Sequence, residues 1–258
     1  MTQDLWAQGR VALVTGATSG IGHGLAIGLH DAGARVIATG RRAERLEQLQ
    51  RAAPSERLLT RVLDVQSAAS LQACLADLPQ PFRAIDTLIN NAGLALGLNK
   101  AHEADLADWE TMIATNVLGL TRVTRAILPG MVARNRGDII NMSSVAASYP
   151  YPGGNVYGAT KAFVRQLSLN LRADLLGSAI RVTSLELGLC ETEFSLVRFK
   201  GDTTAARAPY IGMRPLVSSD VVTVIASILR LPAHVNVNAI EVMPVQQAFG
   251  PLAVDRKP

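Results

Sequence analysis

Cysteine is nearly absent from these 258 residues: Cys74 and Cys190 are the only two, and they form neither a disulfide framework nor a metal-ligand spacing. The four histidines, His23, His30, His102 and His234, are scattered, so no metal site is expected. No run of about 18 apolar residues marks a membrane span. The segment from Met1 to Arg10 has no apolar core, so no signal peptide is expected either. Behind the net charge of +4 there is no block of Lys or Arg and no basic stripe interleaved with aromatics, which argues against nucleic acid and membrane as partners. These absences together lead us to expect a cytoplasmic protein of a reducing compartment. Aromatics are also scarce, at 4%, so the hydrophobic 48% is carried mainly by Ala, Leu, Val and Ile, a composition suited to a buried parallel sheet flanked by helices.

What is present is an alternation of short β-rich runs and longer helical patterns. The pattern predicts strands near residues 10–15, 35–39, 58–63, 86–90, 138–142, 180–187 and 240–243. It predicts helices near 20–32, 42–53, 67–78, 105–134, 155–176 and 218–231, with Ser67 as an N-cap. Repeated βαβ units call for right-handed crossovers and a parallel sheet covered on both faces. The expectation is therefore one α/β domain over residues 1–258, a doubly wound fold with a seven-stranded parallel sheet. The stretch 191–217 is long, mixed in polarity and punctuated by Gly201, Pro209, Gly212 and Pro215, which marks it as a substrate-binding lid within that domain.

The first strand runs into Thr15-Gly16-Ala17-Thr18-Ser19-Gly20-Ile21-Gly22 and then a helix. Glycines at a strand-to-helix turn permit the turn and let the backbone approach a pyrophosphate, while the helix N-terminus offers free N–H groups to it. The second strand ends in Gly40-Arg41-Arg42, where an acidic side chain would favour the ribose hydroxyls of NAD. Two guanidinium groups suit a 2′-phosphate instead, so NADP(H) is the expected cofactor. Asp64 and Val65 after the third strand and Asn91, Ala92 and Gly93 after the fourth complete the expected cofactor contacts.

Tyr157-Gly-Ala-Thr-Lys161 places a Tyr and a Lys on one helix face. Ser144 stands thirteen residues upstream, just past the predicted fifth strand. Asn116 lies inside the predicted long helix, where Asn is a poor choice without a reason. This ordered set, from the glycine-rich turn through Asn-Asn-Ala-Gly, Asn116 and Ser144 to Tyr157 and Lys161, resembles the short-chain dehydrogenase/reductase family over about Arg10 to Pro244. The resemblance implies a Rossmann-type catalytic domain and an oxidoreductase. Tyr157 would be the general acid/base and also a cofactor contact, Lys161 would hold the nicotinamide ribose, Ser144 would hydrogen-bond the reacting oxygen, and Asn116 would position a water linking Lys161 to solvent. A free Tyr titrates near ~10. A Lys⁺ about 4 Å away in an effective dielectric near 20 would supply roughly 4 kcal/mol toward lowering that value.

The resemblance also brings Gly188, Leu189 and Thr192 into the nicotinamide pocket, with one departure. The family's proline after the sixth strand is replaced by Leu187, which bears on the rigidity of that turn and not on the cofactor class. Within the family, the runs at residues 37–42, 90–97, 153–165 and 192–202 look like those of NADP-dependent 3-hydroxy acid dehydrogenases. This implies substrates such as serine, allo-threonine and 3-hydroxypropionate or malonic semialdehyde. Sulfoacetaldehyde reductase or another small-carbonyl reductase is the alternative, and a non-catalytic NADP-binding sensor or scaffold is the alternative of another class. Arg198 in the expected lid is the candidate anchor for a substrate carboxylate or sulfonate. The family implies a homotetramer packed through the two long helices and the C-terminal strand, with the apolar tail Ala248 to Val254 consistent with it.

Overall fold

The structure is a computed structural model that describes residues 4–250. Residues 251–254 of the C-terminal tail expected to serve oligomer contacts therefore lie outside the described residues. Seven strands form the sheet: β1 (Val11–Val14), β2 (Arg35–Gly40), β3 (Leu58–Val62), β4 (Thr87–Asn90), β5 (Gly137–Ser144), β6 (Ile180–Leu187) and β7 (Ala239–Val242). They are ordered β3-β2-β1-β4-β5-β6-β7, and every pairing is parallel. The expected doubly wound α/β fold is what the chain adopts.

Alternation along the strands supplies two cores. Ala12 and Val14 of β1 and Ile89 of β4 point to one face. There they meet Leu25 and Leu29 of α1 (Gly20–Asp31), Leu49 of α2 (Ala43–Ala52) and Val221, Ile225 and Leu229 of the last helix, Ser218–Leu229. Leu13 and Leu88 point to the other face, against Leu71 and Cys74 of α3 (Ala68–Ala76) and Val123, Ile127 and Met131 of the helix Leu120–Ala133. Ser67 caps α3 as expected, its hydroxyl accepting from the Ser70 N–H at 3.1 Å. The strand order reverses between β1 and β4, and in such sheets the crevice outside the strand C-termini is where ligands bind. The chains leaving β1 and β4 meet there: Asn91 Nδ2 donates to the carbonyls of Thr15 (2.9 Å) and Gly16 (3.2 Å).

Three expectations are revised. The predicted helix 105–134 is α4 (Leu106–Ile113) and α5 (Leu120–Ala133), joined by a π-helical segment over Ala114–Gly119. Such wide turns gather at functional sites, and this one carries Asn116. The fifth strand is longer than predicted, because Ser143 and Ser144 still pair with Glu186 and Leu187. Ser144 is thus the last residue of β5 and not a loop residue. The stretch 191–217, expected to serve as a lid, is not irregular: after α6 (Asn155–Asp174) and β6 it holds α7 (Phe194–Arg198) and α8 (Thr203–Arg207), and the Ser218–Leu229 helix is then α9. Helices of five residues are too short to show a period. α8 is set by Asp202, whose Oδ1 accepts from the N–H groups of Thr204 (2.9 Å) and Ala205 (3.0 Å). The ends of this stretch are fastened together by Glu191 N–H to Leu216 O (2.8 Å) and Leu216 N–H to Leu189 O (3.0 Å).

Candidate active site

A cavity of about 1020 Å³ opens over the crevice. Its wall includes every residue the sequence assigns to the cofactor and to catalysis except Asn116, which stands one layer behind it. At one end lies the glycine-rich turn. Gly16 has φ +70°, a left-handed conformation that favours glycine. At Gly22 a Cβ would overlap the carbonyl oxygen of Gly16 and the Asn91 amide, so the helix can lie this close to β1 only with hydrogen there. No side chain caps α1, and its first turn carries no acidic residue, which leaves its N–H groups and positive end to the cavity. Thr15 Oγ1 accepts from the N–H groups of Asn91 and Ala92, both at 3.0 Å, and so joins the two turns. Gly93 is close to both Asn116 and Lys161: an added Cβ would meet Asn116 Oδ1 at 3.2 Å and Lys161 Nζ at 3.4 Å. Asp64 and Val65 line the cavity beyond it, with Asp64 Oδ1 accepting from Gln66 N–H at 3.0 Å.

Arg42 lies across the turn. Its Nε and Nη2 donate to Thr18 Oγ1 (3.1 and 2.9 Å), and Nη2 also donates to Ser19 Oγ (2.7 Å). Arg41 faces the same cavity and makes no side-chain hydrogen bond or ion pair with the described residues. A small-residue turn, an uncapped helix start and a free guanidinium beside a braced one fit a phosphorylated dinucleotide.

At the other end, Tyr157 and Lys161 project from the first turns of α6 and both are buried. Lys161 Nζ donates to Met142 O at 2.8 Å and stands 5.9 Å from the Tyr157 ring centroid. Lys161 is expected to lower the phenol with an oxidised nicotinamide adding to it; on its own, 5.9 Å from the ring centroid, it does not offset burial. Burial pushes Tyr157 up to about 12, and the groups that pull it back are the Ser144 hydroxyl and Arg198. Burial also lowers Lys161 to about 8. A positive charge brought next to the phenol by a bound oxidised nicotinamide would act in the missing direction. Ser144 Oγ donates to Leu187 O at 3.3 Å and accepts from Ala146 N–H at 3.2 Å. Asn116 is fully engaged through its amide. Nδ2 donates to Leu94 O (2.9 Å) and Thr160 Oγ1 (3.0 Å), and Oδ1 accepts from Leu94 N–H (2.9 Å). Its side chain thus pins the loop after β4 to α6.

The turn with Leu187 in place of proline is secured by other bonds. Gly188 N–H donates to Val242 O (2.8 Å) and Leu189 N–H to Gln247 Oε1 (2.7 Å). Thr192 rests on the glycine-rich turn, where a Cβ on Gly20 would lie 3.0 Å from its own Cβ. Arg198 closes the end that holds Tyr157. Its Nη2 donates to Tyr151 Oη (2.7 Å), Nε donates to Gly97 O (3.3 Å), and the guanidinium carbon lies 5.5 Å from the Tyr151 and Tyr157 ring centroids. Sequence reasoning missed Tyr151, which orients Arg198, and Phe194, whose ring packs at 5.8 Å against that of Tyr157. It also missed Gln247, which no local motif marks. Tyr151 and Phe194 adjoin motif residues at 153 and 192 and could have been found by that proximity alone.

The model of the short chain dehydrogenase family matches residues 10–201. The chain belongs to that family. It is 55% identical over 247 residues to the NADP-dependent 3-hydroxy acid dehydrogenase of Salmonella typhi, covering 95% of this chain and 99% of the relative. It is 50% identical over 248 residues to sulfoacetaldehyde reductase 2 of Chromohalobacter salexigens, covering 95% and 98%. Among solved structures it is similar to the closed form of a serine dehydrogenase complexed with NADP⁺, with a TM-score of 0.93, 53% identity and coverage of 95% and 99%.

Proposed function

We propose that this chain is an NADP(H)-dependent oxidoreductase that interconverts a small 3-hydroxy acid and its aldehyde or ketone. The observation that carries the reading is Arg198, a cation 5.5 Å from the ring of the buried Tyr157, in the one cavity that also holds the glycine-rich turn and Arg41–Arg42. When bound, NADP(H) supplies the hydride chemistry. The chain supplies the rest. Tyr157 exchanges the proton of the reacting hydroxyl, and Ser144 hydrogen-bonds its oxygen. Lys161 holds the ribose and adds positive charge beside the phenol. Asn116 fixes the loop under Gly93 and ties it to α6, its amide taken by Leu94 and Thr160. Gly16, Thr18, Ser19, Gly20, Ile21, Gly22, Asp64, Val65, Asn91, Ala92, Gly188, Leu189 and Thr192 shape the cofactor's bed. Arg41 and Arg42 read its 2′-phosphate.

A 3-hydroxy acid and a 2-hydroxysulfonate share one layout, an anion two carbons from the carbinol oxygen. That layout suits a phenol with a guanidinium beside it. Arg198→Leu is expected to raise the KM for 3-hydroxypropionate about 10- to 100-fold, the range of one charge-assisted hydrogen-bond pair, with kcat changed far less. Steady-state kinetics check this, and an unchanged KM removes Arg198 from the substrate site. The same assay with isethionate decides between carboxylate and sulfonate.

The expected homotetramer and cytoplasmic setting belong to this reading. Ile113, Leu118 and Val132 along the α4–α5 rod and Phe163 and Leu169 on α6 are exposed apolar side chains on the two long helical elements, and Val245 and Phe249 are exposed after β7. Exposed apolar side chains on the faces that the family resemblance assigns to packing support association. Light scattering is expected to give a tetramer mass, and a monomer alone would contradict it.

A further inference from the structure

Three successive residues at the start of the lid touch three different parts of the site. Thr192 rests on the glycine-rich turn, and Phe194 packs on Tyr157. Between them, Glu193 turns the other way. Its Oε1 accepts from Arg45 Nη1 at 2.6 Å and its Oε2 from Arg42 Nη1 at 3.2 Å. Arg42 is then held on three sides, by Thr18, Ser19 and Glu193. Arg45 does not line the cavity, so it reaches the cofactor site only through this carboxylate. The side-chain hydrogen bond from Arg45 and the pair with Arg42 hold the Glu193 carboxyl below the usual carboxylate range, so it is ionised at neutral pH.

We propose that Glu193 is a positioning residue that joins the substrate lid to the phosphate-reading arginines, so that recognition of the 2′-phosphate and placement of Phe194 and Arg198 over the reacting centre are coupled. Charge supports it. Arg41, Arg42, Arg45 and Glu193 leave a net +2, which a phosphate monoester of about −2 neutralises. Without Glu193 the three cations would repel one another, and Arg42 would lose one of the bonds that aim it. Geometry supports it as well. Glu193 immediately precedes α7, which ends at Arg198, so a shift of Glu193 moves the substrate's anchor and the cofactor's anchor together. The proposal rests on the reading of the cavity as an NADP(H) site.

The test uses the full-length enzyme with NADPH and NADH titrated by cofactor fluorescence, beside steady-state kinetics with 3-hydroxypropionate. Glu193→Gln is expected to weaken NADPH about three- to fivefold, the range of a partly exposed ion pair, with NADH unchanged. The KM for the acid should rise with it while kcat stays close to the parent value. Arg45→Leu should give a smaller loss of the same kind, since Arg42 keeps its bond to the carboxylate, and Glu193→Gln combined with Arg45→Leu should be no worse than Glu193→Gln alone, because Arg45 reaches the site through that carboxylate. Glu193→Asp should restore part of the loss. Thermal unfolding of each variant separates these effects from misfolding. If Glu193→Gln binds NADPH as tightly as the parent or more tightly, the carboxylate is idle or a competitor of the phosphate, and the proposal is overturned. Equal loss of NADPH and NADH, or additive losses in the double variant, overturn it too. Failure of the unaltered enzyme to bind NADPH would instead remove the cofactor reading beneath it.

Discussion

Tyr157→Phe lowers turnover of the hydroxy acid by about 10²- to 10⁴-fold, the usual range for a lost general acid/base, and leaves NADPH binding almost unchanged. The phenol is buried at the foot of the cavity, 8% exposed, with the Ser144 hydroxyl beside it and Lys161 one helical turn on. Phe keeps the ring, and with it the packing against Phe194, so the fold and the cofactor bed stay in place. Only the exchangeable proton is lost. The pH dependence follows from the sign of the shift. The phenol is held high, at about 12 before any charge arrives from a cofactor, so below that value it is predominantly protonated. Oxidation needs the phenolate and therefore speeds up as pH rises through the neutral and alkaline range. Reduction needs the protonated form, which persists through that range, so its rate stays nearly flat until the pH nears the phenol's own value. Lys161, lowered to about 8, loses its charge within that range and blunts the rise in oxidation. A rise in oxidation beside a nearly flat reduction, the rise missing in Tyr157→Phe, is the expected pattern. Parallel slopes would mean that another group carries the proton.

Gly22→Ala has the second large effect, and it falls on the cofactor end. The added methyl would collide with the carbonyl oxygen of Gly16 and with the Asn91 amide. Neither can yield locally, because Asn91 Nδ2 is bound to the carbonyls of Thr15 and Gly16, and Thr15 Oγ1 is bound to the chain after β4. A clash with backbone belongs at the upper end of the overpacking range, about 3 kcal/mol. In a chain of this size that lowers Tm by roughly 6–12 °C. NADPH affinity falls by more than about tenfold, since an affinity loss of that size needs only ~1.4 kcal/mol at the site. Thermal unfolding and NADPH titration check both. Unchanged values for both would show that the turn does not form this cradle.

The order of strands and helices was legible because hydrophobic period and turn residues act locally, and Ser67 caps the helix that its residue type suggested. The cofactor turn was legible for the same reason: its glycines are demanded by backbone geometry within a few residues of each other. What was hidden depends on contacts far apart in the chain. Asn116 looked misplaced in a helix, and its reason, a π-helical segment whose amide ties Leu94 to Thr160, involves three segments at once. The substitution of Leu187 for proline looked like a loss of stiffness until Gln247, 58 residues from the Leu189 N–H it accepts from, was seen to hold that turn. The shared helix face of Tyr157 and Lys161 was legible from their spacing, but the draw of the ammonium to Met142 O depends on β5 and was not. Glu193 carries no motif, and only the fold brings it to Arg42 and Arg45.

On the proposed reading, one cavity pairs an NADP(H) bed with a site for a small hydroxy acid. The direct measurement is reduction of NADP⁺ or NAD⁺ by the purified protein, offered L-serine, L-allo-threonine, 3-hydroxypropionate and isethionate, with uncharged 1-propanol as the comparison. Turnover is expected with NADP⁺ far above NAD⁺, on one or more of the anions, and little on the alcohol. Turnover indifferent to the 2′-phosphate, or as fast on propanol as on every acid, would contradict it.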